Sequence, residues 1–142
     1  SPVPVKKGAR ELLSYLRQQH IPCAVASSSS HKLIEGNLKN TGLTYCFCVQ
    51  VSGQDVTRTK PDPAIFLLAA EQLGVDIRHC LVLEDSLNGV RAGYAAGAVT
   101  VMVPDLIPPN EEIAKLYTRC CKDLLEVRDL LAQGELSPEE AV

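Results

Sequence analysis

The sequence predicts an α/β domain with a parallel sheet, and three observations predict it. Stretches with helical spacing of apolar residues alternate along the chain with short apolar, β-branched runs. The 142 residues, 46% hydrophobic and 22% charged, have ordinary proportions for one globular core. Reactive polar residues break the apolar pattern where the predicted strands end, the edge at which parallel α/β sheets bind ligands. No internal repeat, low-complexity tract or linker divides the chain, so residues 1–142 are read as a single domain.

Residues 8–19 place Ala9, Leu12, Leu13 and Leu16 on one helical face, and residues 21–26 follow as a buried strand after a proline turn. A second helix over residues 30–40 carries Leu33, Ile34 and Leu38 and stops before Gly42. Residues 45–51 read as the second strand. Asp62 can cap a helix whose first position is Pro63 and whose buried face is Ile65, Phe66, Ala69 and Leu73. Residues 80–83 form the third strand. Ser86 caps the next helix, which is rich in small residues and ends at Gly97, so it can lie close against a sheet. Residues 98–103 make the fourth strand, a short helix follows Asn110, and another spans residues 122–132. Ser137, Pro138 and Glu140 announce one more helix start.

Charge and hydropathy exclude several functions. The net charge is −3 and the basic residues are scattered singly, so there is no stripe for a nucleic-acid backbone. The longest apolar run, residues 64–70, is far short of the roughly 20 residues that cross a bilayer. The first ten residues lack the form of a signal peptide, and the expectation is a soluble, cytoplasmic protein. Of the six cysteines, none has zinc-knuckle spacing; Cys23, Cys46, Cys48 and Cys80 fall in apolar runs and read as small buried hydrophobes. No disulfide is expected: Cys46 and Cys48 on one strand would point the same way with Cα atoms about 6.5 to 7 Å apart.

Three places carry candidate chemistry. Residues 27–30 are four serines between a strand and a helix, offering hydroxyls and free helix-start N–H groups to a phosphate, although serine N-caps are common. Lys60, followed by Pro61, could hold its ammonium against an anion at the sheet edge, or be one more surface lysine. Glu84 and Asp85 end the strand at residues 80–83; adjacent carboxylates at a strand tip need a cation or strong donors, and oxygen ligands suit magnesium, while a solvated acidic turn is the plainer alternative.

In order, these sites resemble the later motifs of the haloacid dehalogenase superfamily, and most closely its β-phosphoglucomutase-like subgroup. The resemblance rests on Val25, Ala26 and Ser27; on Lys60, Pro61, Asp62 and Pro63; and on Leu83, Glu84, Asp85 and Ser86 with Asn88, Gly89 and Val90. The blocks Ala95, Ala96, Gly97 and Val101, Met102, Val103, Pro104 also fit. It implies a three-layer, Rossmann-like parallel sheet and a magnesium-dependent phosphatase or phosphomutase acting on a small phosphorylated metabolite, such as a sugar phosphate, through an aspartyl phosphate. Ser27 and Lys60 would then be catalytic, Ser27, Ser28 and Lys60 would bind phosphate, Asp85 would ligate Mg2+, and Glu84 would act on it through water. Such roles suit phosphoryl transfer, which depends on positioning and on stabilising spread negative charge.

The family's first motif, a strand ending in Asp-x-Asp that supplies the nucleophile, has no match here; Asp55, Asp76 and Asp105 lack its setting. The resemblance therefore covers a carboxyl-terminal core segment without cap or central first strand, inactive until the amino-terminal segment is present. The rivals are a non-catalytic phosphate-binding pseudoenzyme or interaction domain of the same fold, and a receiver-like domain, whose motif order differs. The implied strand order is residues 45–51, residues 21–27, an empty lane, residues 80–84 and residues 98–103, with the strands flanking the lane about 9.6 Å apart. Ser27, Lys60 and Asp85 are expected to converge at the carboxyl edge.

Overall fold

The computed structural model describes residues 6–105 and 108–136. Its elements are α1 (Ala9–Gln18), β1 (Ala24–Ser27), α2 (His31–Thr41), β2 (Val49–Ser52), α3 (Ala64–Leu73), β3 (Leu81–Glu84), α4 (Leu87–Ala96), β4 (Val99–Met102), α5 (Glu111–Ala114), β5 (Arg119–Cys120) and α6 (Leu124–Ala132). The start signals read from the sequence hold where a side chain can reach a free helix N–H. The Ser30 hydroxyl accepts from Leu33 N–H, Ser86 from Gly89 N–H and Asn110 from Ile113 N–H. Asp62 accepts from Ala64 N–H at 2.9 Å, just ahead of α3. The helix start expected near Ser137 lies outside the described residues.

Three strands are shorter than the apolar runs suggested, β4 by one residue at each end and the first two by their opening residues. His20 turns the chain with φ 58°, and Ile21 N–H closes back on the Leu16 carbonyl at 2.9 Å, so Ile21 belongs to the turn after α1 and is 45% exposed. Residues 44–46 form a 3-10 turn, held by Cys46 N–H on the Leu43 carbonyl at 3.0 Å, because Leu43 is drawn into a cluster with Ile34 and Leu38 of α2. Only Val49–Ser52 pairs as strand, and Cys46 and Cys48 do not share it. β5, two residues long, has no periodicity to reveal it and was not expected. All six thiols are free; of the four read as buried, Cys23, Cys46 and Cys80 are only partly buried and Cys48, which precedes the ladder, is exposed, whereas the fully buried one is Cys121.

β1 and β2 pair in parallel, with Ser27 opposite Ser52; β3, β4 and β5 form a second parallel sheet in that order. Alternate residues face opposite layers. Ala24, Ala26, Val51 and Val82 pack beneath α3 and α4, with Ile65 and Ala92 fully buried there. On the other face, Leu81, Leu83, Val101 and Val103 meet Leu12 of α1 and Val127 of α6, while Val25 meets α2. The result is the three-layer parallel arrangement the sequence implied.

Among the described residues no ladder joins β1 to β3. A cavity of about 760 Å³ lies between them, walled by Val25 and Ala26 on one side and Val82 and Leu83 on the other, with Leu12 of α1 and Phe66 of α3 above and below. Its walls are mostly apolar, and Glu84, Asp85 and Lys6 are among its charged lining residues.

Candidate active site

The β1 and β3 tips point to the same edge of the molecule because all strands run parallel. Lys60, in the loop before α3, reaches across that edge. Its Nζ donates to Glu84 Oε2 at 2.8 Å and to the Ala26 carbonyl at 3.2 Å, and stands 4.9 Å from the centre of the Phe66 ring. Both charged side chains are only 12% exposed, so the pair is largely withdrawn from water. Glu84 is also oriented by Ser86, whose hydroxyl donates to Oε1 at 3.2 Å. A Cβ on Gly89 would fall 1.7 Å from Glu84 Oε1 and 2.6 Å from its Cγ, so the first turn of α4 leaves room for this carboxylate only as glycine.

Asp85 points elsewhere. It is 43% exposed and bonds the Lys6 ammonium, which also lies 3.9 Å from Asp105. The Ser27 hydroxyl accepts from Ser29 N–H at 3.1 Å, which curls the serine loop, and Ser28 is exposed. Glu84 and Lys60 therefore meet directly, while Lys60 touches β1 through the backbone of Ala26 and bonds neither Ser27 nor Asp85 among the described residues. Sequence reasoning ranked Asp85 above Glu84 and missed Phe66 and Lys6. A lone aromatic on a helix and a lone lysine near the start carry no signal of their own.

The serine loop is held by the loop after β2. Ser52, fully buried, donates its hydroxyl to the Ser29 carbonyl at 2.5 Å. Ser52 and Asp55 form a capping box, with Ser52 N–H on Asp55 Oδ2 at 2.8 Å. His31 Nε2–H donates to the same carboxylate, 2.8 Å from Oδ1. These donors, Ser52 first and His31 second, hold the Asp55 carboxyl below its ordinary value. The Ser52-x-x-Asp55 spacing was the available clue to this cluster.

For a divalent cation, Glu84 and Asp85 supply oxygen donors of the kind Mg2+ prefers, two adjacent carboxylates at one strand tip. The fit is right in chemistry and partial in number, since no third His, Cys, Asp or Glu joins them in a cluster among the described residues.

The sequence profile of haloacid dehalogenase-like hydrolases matches residues 1–97, more than half of the chain. The chain belongs to the haloacid dehalogenase-like hydrolase family. It is 39% identical over 122 residues to the bifunctional riboflavin kinase/FMN phosphatase of Arabidopsis thaliana, covering 85% of this chain and 32% of that protein. Hexitol phosphatase B of Escherichia coli is 34% identical over 130 residues, 86% of this chain and 59% of that one. A Thermotoga maritima structure assigned as a β-phosphoglucomutase superposes with a TM-score of 0.82 at 29% identity, covering 89% of this chain and 59% of its own. CbbY of Rhodobacter sphaeroides, solved with phosphate, gives 0.79 at 30% identity over 86% and 55%. These place the fold with β-phosphoglucomutase-like members of the family. The chain spans between about a third and three fifths of the length of these relatives. No helix among the described residues is long and apolar enough to cross a membrane.

Proposed function

We propose that this chain forms part of a magnesium-dependent phosphatase or phosphomutase for a small phosphorylated metabolite, with the attacking carboxylate supplied from outside residues 1–142. The carrying observation is the Lys60–Glu84 pair, whose carboxylate lines the head of a mostly apolar cavity between β1 and β3, two strands that no ladder joins among the described residues. A strand entering between β1 and β3 would satisfy both backbone edges and bring its last residues to that head. The names of the relatives, an FMN phosphatase and a hexitol phosphatase, support a phosphomonoester as substrate.

In this reading the Ser27 hydroxyl and the exposed Ser28 donate to the transferring phosphoryl group. Lys60 keeps its ammonium beside both the entering strand and the phosphate, offsetting negative charge as it spreads in the transition state. Asp85, with Glu84 behind it, would hold Mg2+, which when bound neutralises phosphate charge and orients it for in-line attack. Lys6 would then give up its bond to Asp85. Orientation of nucleophile against phosphate is what residues 1–142 alone lack, so they are inactive by themselves. Six free thiols suit a reducing compartment such as the cytoplasm.

The test is turnover by the full-length protein of p-nitrophenyl phosphate and a panel of sugar phosphates with Mg2+. Activity should vanish with chelator, and Lys60→Ala and Asp85→Asn should each lower kcat by about 100-fold or more. A folded full-length protein that binds phosphate but turns over nothing would favour the non-catalytic reading instead.

A further inference from the structure

The loops after β1 and β2 are closed onto one another by contacts that the proposed chemistry does not itself use. Ser52 donates its hydroxyl to the Ser29 carbonyl, Gln54 Oε1 accepts from His31 N–H at 3.0 Å, and the His31 ring donates to Asp55. At Gly53 the two backbones touch so closely that a Cβ would stand 2.5 Å from the Ser28 carbonyl oxygen. The Ser29 carbonyl and the His31 N–H and ring are thus engaged by the β2 loop, while Ser28 stays exposed and the Ser27 hydroxyl bonds only within its own loop.

We propose that Asp55 is a positioning residue for phosphate binding: through Ser52 N–H and His31 it locks the β2 loop, and through that loop it fixes the backbone of the serine run. Two arms leave one carboxylate. One bonds Ser52 N–H, which keeps the Ser52 hydroxyl on Ser29; the other bonds His31, the first residue of α2. Removing the carboxylate frees both at once, and the serine hydroxyls lose their shared geometry, while Lys60, held by Glu84, the Ala26 carbonyl and the Phe66 ring, and Asp85, held by Lys6, bond no member of the clamp and keep theirs. The loss therefore falls on recognition of the phosphate rather than on the charge-stabilising groups. This rests on the reading of Ser27 and Ser28 as phosphate donors.

The test compares the full-length protein with Asp55→Ala and Asp55→Asn. It measures kcat and KM for p-nitrophenyl phosphate, inhibition by inorganic phosphate, and amide hydrogen exchange over residues 27–33. Asp55→Ala should raise KM and the phosphate inhibition constant together by about 5- to 10-fold, change kcat by less than about 3-fold, and speed exchange in that segment. Asp55→Asn, whose amide oxygen can still accept from Ser52 N–H while its NH2 donates to His31 Nε2 in the other tautomer, should recover most of the affinity. A merely structural role would lower the melting temperature and leave KM and the inhibition constant at wild-type values, and that result would overturn the proposal. So would unchanged exchange over residues 27–33. Absence of turnover in the wild-type protein would be the separate failure of the phosphatase reading, while the exchange arm would still judge the clamp.

Discussion

Replacing Gly89 by alanine perturbs the site without touching a charged group. In an exposed helix interior the change would stabilise by about 1 kcal/mol, because glycine is a poor helix former. Here the new Cβ would lie 1.7, 2.2 and 2.6 Å from Oε1, Cδ and Cγ of Glu84. A clash that reaches Cγ is not relieved by rotating the carboxylate end, so the side chain must leave its place and with it the bonds to Lys60 and Ser86. Disrupting a largely buried pair by removing one partner costs about 3 to 5 kcal/mol. Set against the helix gain, the net loss should be about 2 to 4 kcal/mol. The assay is a double-mutant cycle by urea unfolding, with Gly89→Ala made in the wild type and in Glu84→Ala. With the carboxylate gone, Gly89→Ala should become neutral or slightly stabilising, a coupling of about 2 kcal/mol or more. An equal cost in both backgrounds would refute the reasoning.

Other consequences follow from the same packing. Ile65 of α3 is 1% exposed in the cluster with Val51, Val82 and Ala92, and Ile65→Ala should cost the fold about 2 to 5 kcal/mol, read from the urea midpoint. The Asp55 and Asp123 carboxyls are held below 3.8 by backbone N–H donors, so their contribution is complete above that pH and drains as pH falls below it; Asp123→Asn should flatten the acid limb of a stability profile. At the alkaline end burial pushes the Cys23 and Cys121 thiols from 9.0 up to about 11, so the folded state keeps protons that the unfolded chain releases. Stability should therefore fall between pH 9 and 11, and Cys121→Ala should lessen the fall; a flat profile would contradict the burial of these thiols.

Much of this was legible because the signals were local. Ser30, Ser86 and Asn110 each sit three residues ahead of the N–H they cap, and Gly42, Gly74 and Gly97 end their helices in the left-handed region, so the helices were readable from spacing alone. The alternation of Val82 and Leu83 between layers followed from the strand period. Strand limits were not readable at Ile21 and Tyr45, where an apolar residue serves a turn rather than a ladder and stays exposed. At the site, the sequence motif named Lys60, Glu84, Asp85 and Ser27, yet which carboxylate Lys60 meets is decided by the room that Gly89 leaves, a distance across two elements. The His31–Asp55 contact is hidden for the same reason, since its members stand 24 residues apart, one opening α2 and the other in the loop after β2.

The central claim is that the space between β1 and β3 receives a strand that brings the nucleophile to Lys60 and Ser27. A crystal structure of the full-length protein with Mg2+ and orthovanadate tests it directly. The account predicts a strand laddered to both Ala24–Ser27 and Leu81–Glu84, a carboxylate from its tip on the vanadium, the metal on Asp85, and Ser27 and Lys60 on the vanadate oxygens. Direct pairing of β1 with β3, or vanadate bound away from Lys60, would contradict it.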